Sequence, residues 1–276
     1  MKAPINKIIE FSYVDGIGLR SSIFVQKCNI SCLYCHNPET QNICINCGDC
    51  VSKCPTKALT IENNIVKWNS NICANCDTCI RICPNHASPK VKYLTEEEVF
   101  EQIKPNIPFI RGITVSGGEC MLYPEFLTNL FKLAKNNNLT TLIDSNGTIL
   151  FKDYPELLKY SDGVMLDVKS WNDDIFKKLT TYCNKNVIEN LKYLYSINKI
   201  EELRIVYHKD YVDALDIIKG IKDTLNDVSN IKLKLIKFRK NGVKGIMSKL
   251  DSPTDIEMNE LRDYAIKLGF KRIEVR

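Results

Sequence analysis

The sequence predicts an α/β protein built on a mainly parallel sheet, an open or partial barrel, interrupted near its start by a small cysteine-rich module. Three observations predict it. Strand-like and helix-like stretches alternate from Thr95 onward, residues 38–92 differ in composition from their surroundings, and one cysteine spacing occurs twice within them. Alternating strands and helices bury a parallel sheet beneath helices and put function at the C-terminal strand ends.

The first strand is read at Arg20–Gln26, delivering the chain into Cys28. Residues 38–92 are rich in Cys, Asn and Pro, with short apolar pieces at Ala58–Ile61 and Ile65–Trp68. Thr95, three residues before Glu98, opens a helix as a capping box. Strands are then expected at Gly112–Ser116, Thr140–Asp144, Gly163–Val168, Glu202–Tyr207, Ile231–Phe238 and Lys271–Val275. Helices are expected at Glu125–Asn136, Asn186–Ile197, Ala214–Leu225 and Asp255–Leu268.

A chain of 276 residues with 44% hydrophobic content can bury one substantial core beside a small module. No apolar run approaches the roughly 18 residues that span a bilayer, and Lys7 and Glu10 leave no apolar signal core. A cytoplasmic protein without membrane contact is expected. In that reducing compartment, thirteen cysteines read as metal ligands or catalysts rather than disulfides, and three histidines are few for a mixed Cys/His zinc finger. A net charge of +5 is too mild to argue for nucleic acid, and it suits docking of an acidic electron donor.

Cys28, Cys32 and Cys35 form a Cys-x3-Cys-x2-Cys motif with Tyr34 before its last cysteine. Three thiolates from one loop hold a four-iron cluster and leave one iron open to a bound molecule. Structural zinc wants a fourth ligand, and His36, adjacent to Cys35, is badly placed to supply it. The motif resembles the signature of the radical S-adenosylmethionine superfamily. Asp15-Gly16-Ile17-Gly18-Leu19-Arg20 and Cys35-His36-Asn37 narrow the resemblance to the activating enzymes of glycyl radical enzymes. It implies that Asp15, Gly16 and Arg20 lie near the docked protein substrate, and that Tyr34 and Asn37 belong to the cofactor site. By themselves those glycines read as a turn leading into a strand.

Cys44, Cys47, Cys50 and Cys54-Pro55 have the Cys-x2-Cys-x2-Cys-x3-Cys-Pro spacing, repeated at Cys73, Cys76, Cys79 and Cys83-Pro84. This is the two-cluster bacterial ferredoxin pattern, in which the fourth cysteine of each run crosses to the other cluster. One auxiliary cluster is therefore expected on Cys44, Cys47, Cys50 and Cys83, and a second on Cys54, Cys73, Cys76 and Cys79, with metal supplying much of the folding energy. Zinc ribbons rarely use this spacing. Cys120 and Cys183 are left without a role.

Gly117-Gly118-Glu119, after the strand ending at Ser116, resembles the family motif that binds the amino group of the cofactor's methionine part. The resemblance implies that Asp144, in Asp144-Ser145-Asn146-Gly147, helps coordinate a monovalent cation beside the cofactor carboxylate. Asp167 and Lys169 share one strand face and can position polar groups, or else form a solvent-facing ion pair. Val206 matches a later family strand, and Arg239 stands where relatives carry a histidine near the adenine. A guanidinium can stack on that ring.

The resemblance covers nearly the whole chain and is most like the YjjW-type branch. It implies a partial (β/α)6 barrel over residues 1–37 and 93–276, with a ferredoxin-like insert at 38–92. It also implies three four-iron clusters, S-adenosylmethionine, a glycyl radical enzyme as protein substrate, and flavodoxin or ferredoxin as electron donor. In the implied reaction the cofactor is cleaved to methionine and a 5′-deoxyadenosyl radical, which takes a hydrogen atom from a glycine of the partner. A radical enzyme acting on a small molecule and an iron–sulfur electron carrier are the rival readings.

Overall fold

The computed structural model describes residues 1–276. Its main sheet has nine strands in the order β11-β10-β9-β8-β7-β6-β2-β1-β5. These are β1 (Lys2–Ser12), β2 (Arg20–Val25), β5 (Lys92–Thr95), β6 (Gly112–Gly117), β7 (Thr140–Ser145), β8 (Gly163–Asp167), β9 (Ile200–Tyr207), β10 (Lys232–Lys237) and β11 (Arg272–Val275). From β2 through β6 to β11 every pairing is parallel, while β1 runs antiparallel to both β2 and β5. The strands β1 and β5 were not foreseen. β1 mixes Lys2, Asn6, Lys7 and Glu10 among apolar residues and reads as a strand only once paired.

The helices are α1 (Thr78–Arg81), α2 (Glu96–Ile103), α3 (Pro124–Asn136), α4 (Pro155–Tyr160), α5 (Asp173–Thr180), α6 (Lys185–Ser196), α7 (Ala214–Leu225) and α8 (Asp255–Lys267). The capping box at Thr95 forms in both directions: Glu98 N donates to Thr95 Oγ1 at 3.2 Å and Thr95 N donates to Glu98 Oε2 at 2.7 Å. A second box at Thr254 and Glu257 opens α8. No helix is long and apolar enough to cross a membrane.

The free edges at β5 and β11 leave the barrel open, yet the sheet curls. The loop between β1 and β2 bonds Thr114 on β6 through the Asp15 carbonyl (2.6 Å), while its Val14 carbonyl lies 3.5 Å from Lys234 Nζ on β10. One segment reaches strands that far apart only across a concave face.

Between β2 and β5 the chain forms a separate antiparallel hairpin, β3 (Leu59–Glu62) and β4 (Ile65–Trp68). This segment has its own small cluster of Cys50, Leu59, Val66 and Cys79. A bridge between Asn42 and Ala87 closes its base.

Candidate active site

Parallel register puts one layer of side chains on the concave face. Ser116 pairs in sequence with Asp144, Asp167 with Arg204, Arg204 with Lys234, and Val206 with Ile236. Because side chains alternate along each strand, these all face inward near the C-terminal ends. All of them except Lys234 form one wall of a cavity of about 250 Å³ whose other wall is the loop after β2, with Cys28, Cys32 and Cys35. Tyr34, Asn37, Gly117, Gly118, Ser145 and Lys169 also line it.

As free thiols, Cys28 and Cys32 are pushed up by burial, to about 11 and about 12, with Lys169 opposing. A metal that takes thiolates there therefore releases protons on binding. Lys169 sits 2.8 Å from Asp167 Oδ2 and 5.7 Å from the centre of the Tyr34 ring. It is buried, not solvent-facing. Burial works against its charge, but Asp167 and its other neighbours raise its affinity for the proton overall. The Tyr34 hydroxyl is buried without a hydrogen-bond partner.

Three residues stand differently from their expected roles. Glu119 points away from the cavity: its carboxylate accepts from Met121 N (3.0 Å), Ser145 Oγ (2.9 Å) and Asn146 N (2.8 Å), and burial pushes it up to about 7. Arg239 lies beyond the end of β10, exposed and outside the lining, and only its carbonyl is engaged, by His36 Nε2 at 2.8 Å. Ile236, two residues before the turn outward, takes the inward position. Arg20 is 1% exposed and cannot touch a docked protein. Its guanidinium instead bonds Thr114 Oγ1 (2.8 Å), Thr140 Oγ1 (2.9 Å) and the carbonyls of Ile113 and Thr140, clamping β2, β6 and β7 together. Asp144, implied as a cation ligand, pairs with Arg204 Nη1 at 2.8 Å.

The glycine pair answers to the chain's own backbone. A Cβ on Gly117 would lie 2.3 Å from the Val25 carbonyl, and one on Gly118 would lie 2.1 Å from that of Lys27. The close approach seats the β6 end against the cysteine loop, where Gly118 N and Glu119 N donate to those same carbonyls. Asp15, hydrogen-bonded by Ser12 Oγ at 2.6 Å, and Gly16, packed on Leu142, lie in the lumen below the cavity. Sequence reasoning passed over Ser116, Arg204, Gln41 and Ile236 as lining residues. The first two were findable, since Ser116 precedes the glycine pair and Arg204 stands two residues before Val206 on one strand face.

In the segment between β2 and β5, one small cavity is lined by Cys44, Cys47, Cys50, Cys79 and Cys83. A second is lined by Cys54, Cys73, Cys76 and Cys79. No three His, Cys, Asp or Glu side chains converge on a single-ion site.

An α/β barrel with three thiols facing a Gly-Gly strand end defines a class of enzymes that cleave a cofactor at an iron–sulfur site. The sequence pattern of the radical SAM superfamily matches residues 22–219, and the chain belongs to that superfamily. It is 28% identical over 296 residues to a Haemophilus influenzae protein assigned as a glycyl-radical enzyme activating enzyme, covering 98% of this chain and 95% of that one. It is also 28% identical to the choline trimethylamine-lyase activating enzyme of Oleidesulfovibrio alaskensis, covering 88% of this chain and 85% of the relative. Among solved structures it resembles QueE from Escherichia coli, with a TM-score of 0.58 at 14% identity, over 100% of this chain and 94% of that one.

Proposed function

We propose that this chain is the activating enzyme of a glycyl radical enzyme. The observation that carries the reading is the cavity: three thiols face Gly117, Gly118 and the Asp144, Asp167, Lys169 and Arg204 side chains, in a chain similar along nearly its whole length to activating enzymes. When bound, a four-iron cluster supplies one electron and S-adenosylmethionine supplies the 5′-deoxyadenosyl radical that takes hydrogen from a glycine of the partner.

The chain's part is to bind, orient and exclude. Cys28, Cys32 and Cys35 would hold the cluster. Lys169 and Arg204 offer positive charge to a carboxylate, Asp167 accepts from amino or hydroxyl groups, and Ile30, Val206 and Ile236 give an apolar surface to a base. Fixing the reacting carbon against one glycine keeps competing hydrogen donors away. The luminal loop with Asp15 and Gly16 is the proposed contact with the partner's glycine segment.

We assign the two small cysteine cavities to auxiliary clusters in a ferredoxin-like insert, residues 38–92, that relays electrons from a flavodoxin or ferredoxin. Cys47→Ser is expected to slow reduction of the three-cysteine cluster by such a donor and to leave dithionite reduction unchanged. Equal rates with both reductants would end the relay reading.

Anaerobic reconstitution followed by dithionite and S-adenosylmethionine tests the function. A glycyl doublet in electron paramagnetic resonance on a candidate partner, lost in Cys32→Ala with cofactor cleavage falling by about a thousandfold or more, is the expected result. Cleavage without any glycyl signal would point to a small-molecule substrate, and no cleavage to an electron carrier.

A further inference from the structure

The two cysteine runs of the segment between β2 and β5 share a spacing but not the residues inside it. Thr78 and Arg81 of Cys76-Asp77-Thr78-Cys79-Ile80-Arg81 stand where Asp49 and Ser52 stand in Cys47-Gly48-Asp49-Cys50-Val51-Ser52. Around Cys76 those two side chains form a chain of bonds. Arg81 Nη1 donates to the Cys76 carbonyl at 2.7 Å and Arg81 Nη2 to Thr78 Oγ1 at 3.1 Å, while Thr78 Oγ1 lies 3.3 Å from Cys76 Sγ. A guanidinium only donates, so the Thr78 oxygen accepts from it and the hydroxyl hydrogen is left for the sulfur. A thiolate at Cys76 has no hydrogen to give, which fixes the same direction.

A second sulfur of the same cavity is also served: Ala58 N donates to Cys54 Sγ at 3.2 Å, and Thr56 Oγ1 lies 3.8 Å from that atom. Cys54 and Cys76 line this cavity together with Cys73 and Cys79. Donors turned on two of four thiols suit a group that takes them as thiolates, as an iron–sulfur cluster does. The other cavity differs. Hydrogen bonds involving sulfur in this segment fall on Cys54, Cys73 and Cys76, and none falls on Cys44, Cys47, Cys50 or Cys83. Ile45, Val66 and Ala87 make its lining apolar, and Asp49 brings a carboxylate to it where the other run has the Thr78 hydroxyl.

We infer that the two auxiliary sites differ in redox role: the cluster on Cys54, Cys73, Cys76 and Cys79, served by the bonds from Arg81 through Thr78 to Cys76, has the higher reduction potential and takes the electron first. Thr78 and Arg81 are positioning residues. Reduction adds one electron, which the external carrier of the proposed function supplies, and breaks no bond. The reduced cluster is one charge more negative, so a donor to its thiolate with a positive charge behind it stabilises that state. A carboxylate in an apolar lining favours the oxidised state of the other cluster.

The inference rests on the assignment of two auxiliary clusters to this segment, and iron content tests that assignment separately. With Cys28, Cys32 and Cys35 replaced by Ala, the reconstituted chain is expected to hold about eight irons. Its redox titration, followed by electron paramagnetic resonance and reduced with dithionite, should give two midpoints. Thr78→Val keeps the side chain's shape and is expected to move the higher midpoint negative while leaving the lower in place. The reduced-to-oxidised ratio at fixed potential should fall about tenfold, about 59 mV for one electron, the worth of one charge-assisted bond. Arg81→Met should move the same midpoint in the same direction. In the other run Asp49→Thr should raise the lower midpoint and narrow the gap. A single midpoint in the parent protein, or a Thr78→Val shift in the lower midpoint or in neither, overturns the inference. About eight irons with such a result would leave the cluster assignment standing, whereas about four or none would end the assignment and the inference together. The activating-enzyme reading stands or falls apart from both, on the glycyl signal.

Discussion

The barrel packs fifty buried apolar residues into one continuous core, whereas the segment from Asn42 to Ala87 has a cluster of four, two of them cysteines. The barrel's stability comes from apolar burial, and its three-cysteine loop is a guest on a finished fold. The segment cannot offset its chain entropy that way, and on the proposed reading it draws on bound metal instead. On that reading one protein carries a site that the fold supports and two proposed sites that would support the fold around them.

Metal removal should break the molecule along that line. After chelation, amides of β3 and β4 are expected to exchange at least about tenfold faster, while those of β6 to β9 keep their protection, measured by hydrogen exchange with mass spectrometry. Equal loss in both regions would mean that the barrel also leans on its cluster.

Arg20→Met tests the barrel side. The buried guanidinium is held by hydroxyls and carbonyls with no carboxylate in the set, and its removal orphans them at the N-terminal ends of two strands, β6 and β7. A loss of about 3 kcal/mol in denaturant unfolding is expected, with iron content per folded molecule unchanged. Arg20→Lys should recover little, because one ammonium cannot reproduce the planar fork.

Glu119 gives the smallest effect, one that belongs to the barrel alone. Burial raises its folded pKa to about 7, above its value in the unfolded chain. Between roughly pH 4.5 and 7 the folded state therefore holds a proton that the unfolded state has released, so stability falls as pH rises through that window, by at most about 3 kcal/mol. Glu119→Gln should flatten that stretch of the stability curve, read by denaturant titration at several pH values.

Much of the architecture was legible along the chain. The helix Ala214–Leu225 lies where its periodicity put it, and the parallel strands fall within a residue or two of their expected limits. The antiparallel strands β1 and β5 were not legible, since their residues form a strand only against a neighbour. In the site, the cysteines could be named from spacing and the strand-end acids from the resemblance. Arg20 was placed near a docked partner by the resemblance alone, and its burial shows only once the strands it clamps are set side by side. Arg239 was misplaced because a strand's last inward position, here Ile236, depends on where the chain turns away.

By itself the sequence determined the alternation of elements, the ligand spacings and the identity of every group that can bind metal or carry charge, because these are properties of neighbours along the chain. Only the tertiary structure decided which of those groups meet. Asp144 finds Arg204 sixty residues on, Gln41 finds His86 forty-five residues on, and Glu119 turns inward to Ser145 and Asn146. Such meetings follow from strand order and the parity of side chains across a curled sheet, which no single stretch of sequence contains.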